Sequence, residues 1–239
     1  MVEVFREVRR VLREDGVVFL NLGDSYASQG GSRANSTNTL TGQGARREAE
    51  LDASRKVPPG AKPKDLIGIP WRVALALQAD GWYLRQDIIW AKGNPMPESV
   101  RDRCTKSHEH VFLLAKSDRY WWDVGAAKEP AAGEGYPHRN RRDVWVINAK
   151  PYKDAHFAVM PEALADLCVR LGSRPGDTVL DPFAGAGTTA VCALAAGRSF
   201  VGCELKSAYA LLMSERVEKA GGVLAVDGGV FTEADHAQA

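Results

Sequence analysis

The chain has 239 residues, a length that suits one α/β domain with insertions. Its 45% hydrophobic content is enough for a core, and its net charge of +1 excludes an overall basic field, so any contact with nucleic acid must come from local patches. The cysteines Cys104, Cys168, Cys192 and Cys203 lack metal-ligand spacing, no secretory pattern opens the sequence and no apolar run approaches a membrane span. These features read as a cytoplasmic protein with neither metal nor membrane partner.

In chain order, Val4, Phe5, Val8, Val11 and Leu12 recur at spacings of three and four and predict a helix over Val2–Arg13. Asp15-Gly16 ends it, and Val17–Leu20 follows as a buried strand. Asn21–Tyr26 then lies at the strand's C-terminal end, where α/β sheets place ligands. Asp24 in that stretch is either a helix or turn cap or a substrate-pocket residue. Residues 27–63 are polar and rich in Gly, Ser, Asn and Thr, a mobile surface insertion or an arm that orders on DNA phosphates.

Asp65–Pro70 leads into a helix over Trp71–Asp80, ended by Gly81. Trp82–Trp90 alternates as a strand and His110–Ala115 reads as a second, with Tyr120-Trp121-Trp122-Asp123 closing it as core aromatics. Between the two strands, 92–106 is charged and proline-bearing. Ala126–Arg142 reads as a glycine-bearing loop ending in Arg139, Arg141 and Arg142, either solvated or set against a DNA backbone. Ordered structure resumes at Asp143–Ile147, and Pro161–Leu171 reads as a helix.

The most specific stretch follows. Thr178-Val179-Leu180 is an apolar run; Asp181-Pro182-Phe183-Ala184-Gly185-Ala186-Gly187-Thr188-Thr189 is a glycine-rich turn; Ala190–Ala196 is helical. Glycine lets a ligand lie against the backbone of such a turn, and the free N–H groups of the following helix face it. Arg198–Cys203 reads as the next strand, closed by Glu204, an acid placed to accept hydrogen bonds from ribose hydroxyls. A lone Gly-x-Gly would be satisfied by a tight turn without a ligand. The flanking Asp-Pro-Phe, Thr-Thr and Glu204 favour a cofactor. The pattern is neither the NTPase phosphate loop nor the Gly-x-Gly-x-x-Gly of nicotinamide enzymes.

Asp-Pro-Phe-x-Gly-x-Gly-Thr-Thr resembles the S-adenosylmethionine motif of amino-group DNA methyltransferases, the N4-cytosine/N6-adenine type. Leu20–Tyr26, Lys64–Arg72, Ile89–Ser99, His108-Glu109-His110, Asp143-Val144-Trp145 and His156–Glu162 extend the likeness along most of the chain. The cofactor motif lies after the catalytic half, the permuted β-class order. The resemblance implies a doubly wound, Rossmann-like α/β sheet. It also implies methyl transfer to an exocyclic amine in double-stranded DNA, with a restriction endonuclease as a possible partner. Asp181, Pro182, Phe183, Gly185, Gly187, Thr188, Thr189 and Glu204 would hold the cofactor, with His156 and Phe157 as its wall. Lys92, Asn94, Arg103, Arg139, Arg141 and Arg142 would approach DNA.

The family's catalytic Asp/Asn/Ser-Pro-Pro-aromatic motif has no match in the sequence. In the permuted order it would precede the helix at Val2, on an interior strand between the cofactor strand and Val17–Leu22. Asp24 and Asn94 are the remaining catalytic candidates. The expectation is a sheet lacking that strand, from a start assigned too far downstream, a decayed or truncated copy, or a segment supplied by another chain. The alternative reading is a non-catalytic remnant that binds cofactor or DNA. The expected organisation is a single domain. Residues 1–26 and 64–123 carry what is left of the catalytic half, and 27–63 form the insertion. Residues 124–142 are a small recognition loop, 143–220 the cofactor half and 221–239 a tail.

Overall fold

The computed structural model describes residues 1–27, 57, 59–131, 137–149 and 160–223. Helix α1, Val2–Val11, buries Phe5 and Val8 between its charged residues. The chain then turns at Gly16, where a side chain would collide with Leu12, and enters β1, Val17–Leu22. Helix α2, Ile69–Ala79, starts with Pro70 in its first turn, where the missing N–H is harmless. Strands β2, Tyr83–Ala91, and β3, His108–Ala115, follow.

β3 pairs antiparallel with both β1 and β2, so a four-stranded sheet runs β1-β3-β2-β6. Its last member β6, Val144–Val146, lies parallel to β2 and places Trp145 in the core. The period-2 pattern divides the sheet between two cores. Val18, Leu20, Phe112 and Leu114 face α1 and α2, with Leu77 and Trp82. Phe19, Ile88, Val111 and Leu113 face helix α3, Glu162–Gly172, through Leu164 and Leu171. Gly172 permits that approach, because a side chain there would overlap Val17 and Phe19.

A parallel pair completes the fold: β7, Thr178–Asp181, and β8, Ser199–Gly202, joined through α4, Thr188–Ala195, and followed by α5, Ser207–Lys219. Leu180 of β7 packs against the core that β1 faces. At the strands' N-terminal ends Arg174 bonds Asp15 at 3.2 Å and Arg13 reaches Asp177 at 3.5 Å. Among the described residues no backbone ladder joins β1 to β7, so each presents one unpaired edge. No helix among them is long and apolar enough to cross a membrane.

Two expectations change. Tyr120–Asp123 does not close a strand: β3 ends at Ala115, and Trp121 N–H instead bonds the Asp15 carbonyl at 2.8 Å. The expected loop at 126–142 contains a hairpin of β4, Lys128–Pro130, and β5, His138–Asn140, whose three-residue strands are too short for a periodic signal.

Candidate cofactor site

The turn between β7 and α4 is braced from within. Asp181 accepts the Phe183 N–H at 3.0 Å through Oδ1 and the Thr189 hydroxyl at 2.7 Å through Oδ2. The first carboxylate of the motif therefore shapes the turn. Gly185 has φ 52°, and a Cβ there would meet only the Phe183 carbonyl, at 3.9 Å. Its bare backbone thus faces open space. Gly187, at φ 77°, serves packing: a side chain would drive into Met213 of α5. Thr188 is buried, and its hydroxyl accepts from Arg216 at 3.1 Å. Its hydroxyl is engaged by that guanidinium, while the residue also lines the cavity beside Glu204.

Glu204 ties the two turns together. Its Oε2 accepts the Gly185 N–H and its Oε1 the Lys206 N–H, both at 2.8 Å. Each carboxylate oxygen can accept about two hydrogen bonds, so a lone pair on each remains for ribose hydroxyls. Beside it lies a cavity of about 370 Å³, a size suited to a nucleoside-sized ligand. Phe183 is 55% exposed and Leu205 99% exposed on its walls, with Met160, Lys206 and Tyr209 completing them. Large apolar side chains held in water at a cavity mouth are costly unless a ligand covers them. Sequence reasoning passed over Met160, Leu205, Lys206 and Tyr209. An apolar residue directly after the strand-closing acid was the available signal for Leu205. His156 and Phe157 lie outside the described residues.

The candidates of the other half are engaged internally. Asp24 accepts the backbone N–H groups of Ser25, Gly68 and Ile69 at 2.8–3.1 Å, so it caps α2 across 44 residues of sequence. Asn94 exchanges two 2.9 Å bonds with the Ala149 backbone. Lys92 pairs with Glu109 at 2.5 Å, and Glu109 also accepts from Asn21 at 3.1 Å. Arg103 pairs with Glu98, which holds that carboxyl below its usual range, and lies 4.0 Å over the Tyr26 ring. Arg139 and Arg142 share Glu129, each at 2.8 Å, and Arg141 bonds the Lys128 carbonyl at 3.3 Å. Glu129 offsets one of the three guanidinium charges that made this segment stand out in the sequence. The structure thus gives Asp24 and Asn94 bracing roles and brings neither to the cofactor cavity.

The chain matches the family model described as DNA methylase over residues 1–215. The type II methyltransferase M.SmaI of Serratia marcescens is 51% identical over 217 residues, covering 91% of this chain and 72% of that protein. M.Cfr9I of Citrobacter freundii is 46% identical, covering 91% and 70%. The PvuII cytosine-N4-specific DNA methyltransferase shares the fold with a TM-score of 0.64 at 17% identity, covering 95% of this chain and 72% of that one. The β7–turn–α4 cradle, the Glu204 brace and these likenesses agree: the chain belongs to the N6/N4 DNA methylase family, enzymes whose methyl donor is S-adenosylmethionine.

Proposed function

We propose that this chain binds S-adenosylmethionine in the cavity between Phe183, Gly185, Glu204 and Leu205 and serves methyl transfer to an exocyclic amine, cytosine N4 or adenine N6, of double-stranded DNA. The observation that carries the reading is Glu204. It fixes the glycine turn through Gly185 and still has acceptor capacity toward the cavity. The bare backbone of Gly185 admits a ligand at close range, and Phe183 and Leu205 give a flat ring two apolar walls. When bound, the cofactor supplies a sulfonium methyl that the amine nitrogen takes as the sulfur–carbon bond breaks, the amine losing one proton. The type II names of the relatives support a cytoplasmic role beside a restriction endonuclease.

Transfer also needs groups that accept the amine's hydrogens and orient a base taken out of the stack. The candidates for that work, Asp24 and Asn94, have their polar atoms bonded to backbone. Among the described residues one edge of β1 and one of β7 carry no ladder, which leaves a place for a strand to bring such groups beside the cavity, because unpaired edges seek a partner. The 239-residue chain alone therefore holds cofactor but transfers at background level. A chain carrying an added N-terminal strand with a Ser- or Asp-Pro-Pro-aromatic end transfers robustly. Tritiated methyl incorporation into unmethylated genomic DNA, measured on both, tests this. Site-specific transfer by the 239 residues alone would move the catalytic role back to residues of this chain and overturn the proposal.

A further inference from the structure

A second cavity, of about 750 Å³, lies at the opposite end of the sheet from the cofactor cavity. It opens where β1 and β2 begin and β3 ends, and its walls are the 118–122 loop, Arg85 and Arg174. Three features make it a built site. The register of β2 against β3 shifts between Leu84 and Gln86, a bulge that sets Arg85 out of the regular alternation. Bulges of this kind re-aim a side chain. Arg85 there bonds the Tyr120 hydroxyl at 3.1 Å and has no carboxylate partner among the described residues. Arg174 lies 3.9 Å over the Trp121 ring and is balanced by Asp15, which also pairs with Arg13. The Arg119 side chain, exposed on the rim, has no partner among the described residues, and neither has the Asp118 carboxylate beside it.

We infer that this cavity binds a nucleoside phosphate at a site separate from the cofactor's. Arg85 and Arg119 supply uncompensated guanidinium groups for the phosphate, whose planar forks match its oxygens. Tyr120, with Arg85 5.6 Å over its ring, and Trp122, packed on Phe19, each contribute ring surface to the cavity wall for a base. The free carboxylate of Asp118 accepts from sugar hydroxyls. Phosphate, base and sugar thus each meet a fitting group within one shallow, open cavity. The site lies away from the cofactor cavity, at the other end of the sheet. The eight residues of β3 separate the two ends by roughly 25 Å, at about 3.4 Å per residue.

The test is calorimetric titration of the chain, saturated with S-adenosylhomocysteine, with adenosine monophosphate, adenosine and inorganic phosphate in turn. The monophosphate binds at one site, at least tenfold more tightly than adenosine or phosphate. Arg85→Ala and Arg119→Ala, both at exposed positions, each weaken it at least fivefold without changing S-adenosylhomocysteine affinity. Absence of binding, displacement by excess S-adenosylhomocysteine, or indifference to both substitutions overturns the site. Phosphate binding as tightly as the monophosphate overturns the nucleoside assignment.

Discussion

In the half built on β7 and β8, Glu204 gives one acceptor position on each oxygen to the backbone and keeps another facing a cavity. In the half built on β1, β3 and β2, Asp24, Lys92, Asn94 and Arg103 are all bonded to partners within the protein. The contrast separates two uses of the same residue types. A carboxylate at the end of a parallel strand can brace a turn and still serve a ligand. A carboxylate accepting three N–H groups, or an amide closed in a two-bond ring, is structural. On the proposed reading the first half is the receptor, and the second is a scaffold in which, among the described residues, one edge of β1 carries no ladder.

The largest expected effect on this contrast falls on Glu204. Glu204→Ala removes the brace on Gly185 together with the acceptors for ribose, and charge-assisted bonds contribute about 1.5–3 kcal/mol. S-adenosylhomocysteine affinity should drop roughly ten- to hundredfold. An unchanged dissociation constant would show that Glu204 only closes a strand. Next comes Gly187→Ala, which places a side chain against Met213 in a left-handed conformation. It should cost about 1–3 kcal/mol of stability, read as a lowered thermal midpoint. A midpoint equal to the parent's would mean that α4 and α5 can separate freely.

Asp24→Ala sharpens the contrast from the scaffold side. Loss of the α2 cap should lower stability by about 1 kcal/mol and leave S-adenosylhomocysteine affinity unchanged. A weakened affinity would place Asp24 in the receptor after all. The smallest effect concerns the thiols. Burial pushes the Cys192 thiol up to about 11 and raises Cys168 further, so both stay protonated and slow to react. Cys104 and Cys203 are exposed. A thiol reagent at pH 8 should modify two cysteines promptly. S-adenosylhomocysteine should slow the one at Cys203, which adjoins Glu204. Equal rates at all four would contradict the packing of α3 on α4.

The cofactor turn was legible because its parts are contiguous: strand, turn, helix and acid follow one another, and each leaves a local signature. The helices α1, α2 and α3 were legible to within two residues, α1 from its spacing and α2 from the glycine that ends it. The bonds that decide the scaffold residues were not, since Asp24 meets Gly68, Asn94 meets Ala149 and Arg139 meets Glu129 across intervals that no local pattern records. Tyr120–Asp123 was misread because aromatic richness suits a strand and a cavity wall equally. Only the end of the β3 ladder at Ala115 separates the two.

The most direct measurement is calorimetric titration of the folded chain with S-adenosylhomocysteine and, separately, with NADH. One site for S-adenosylhomocysteine, weakened by Glu204→Ala and untouched by Asp24→Ala, with no heat from NADH, is the predicted result. Tight NADH binding without S-adenosylhomocysteine binding would contradict the assignment of the Asp181–Tyr209 cavity and the functional reading built on it.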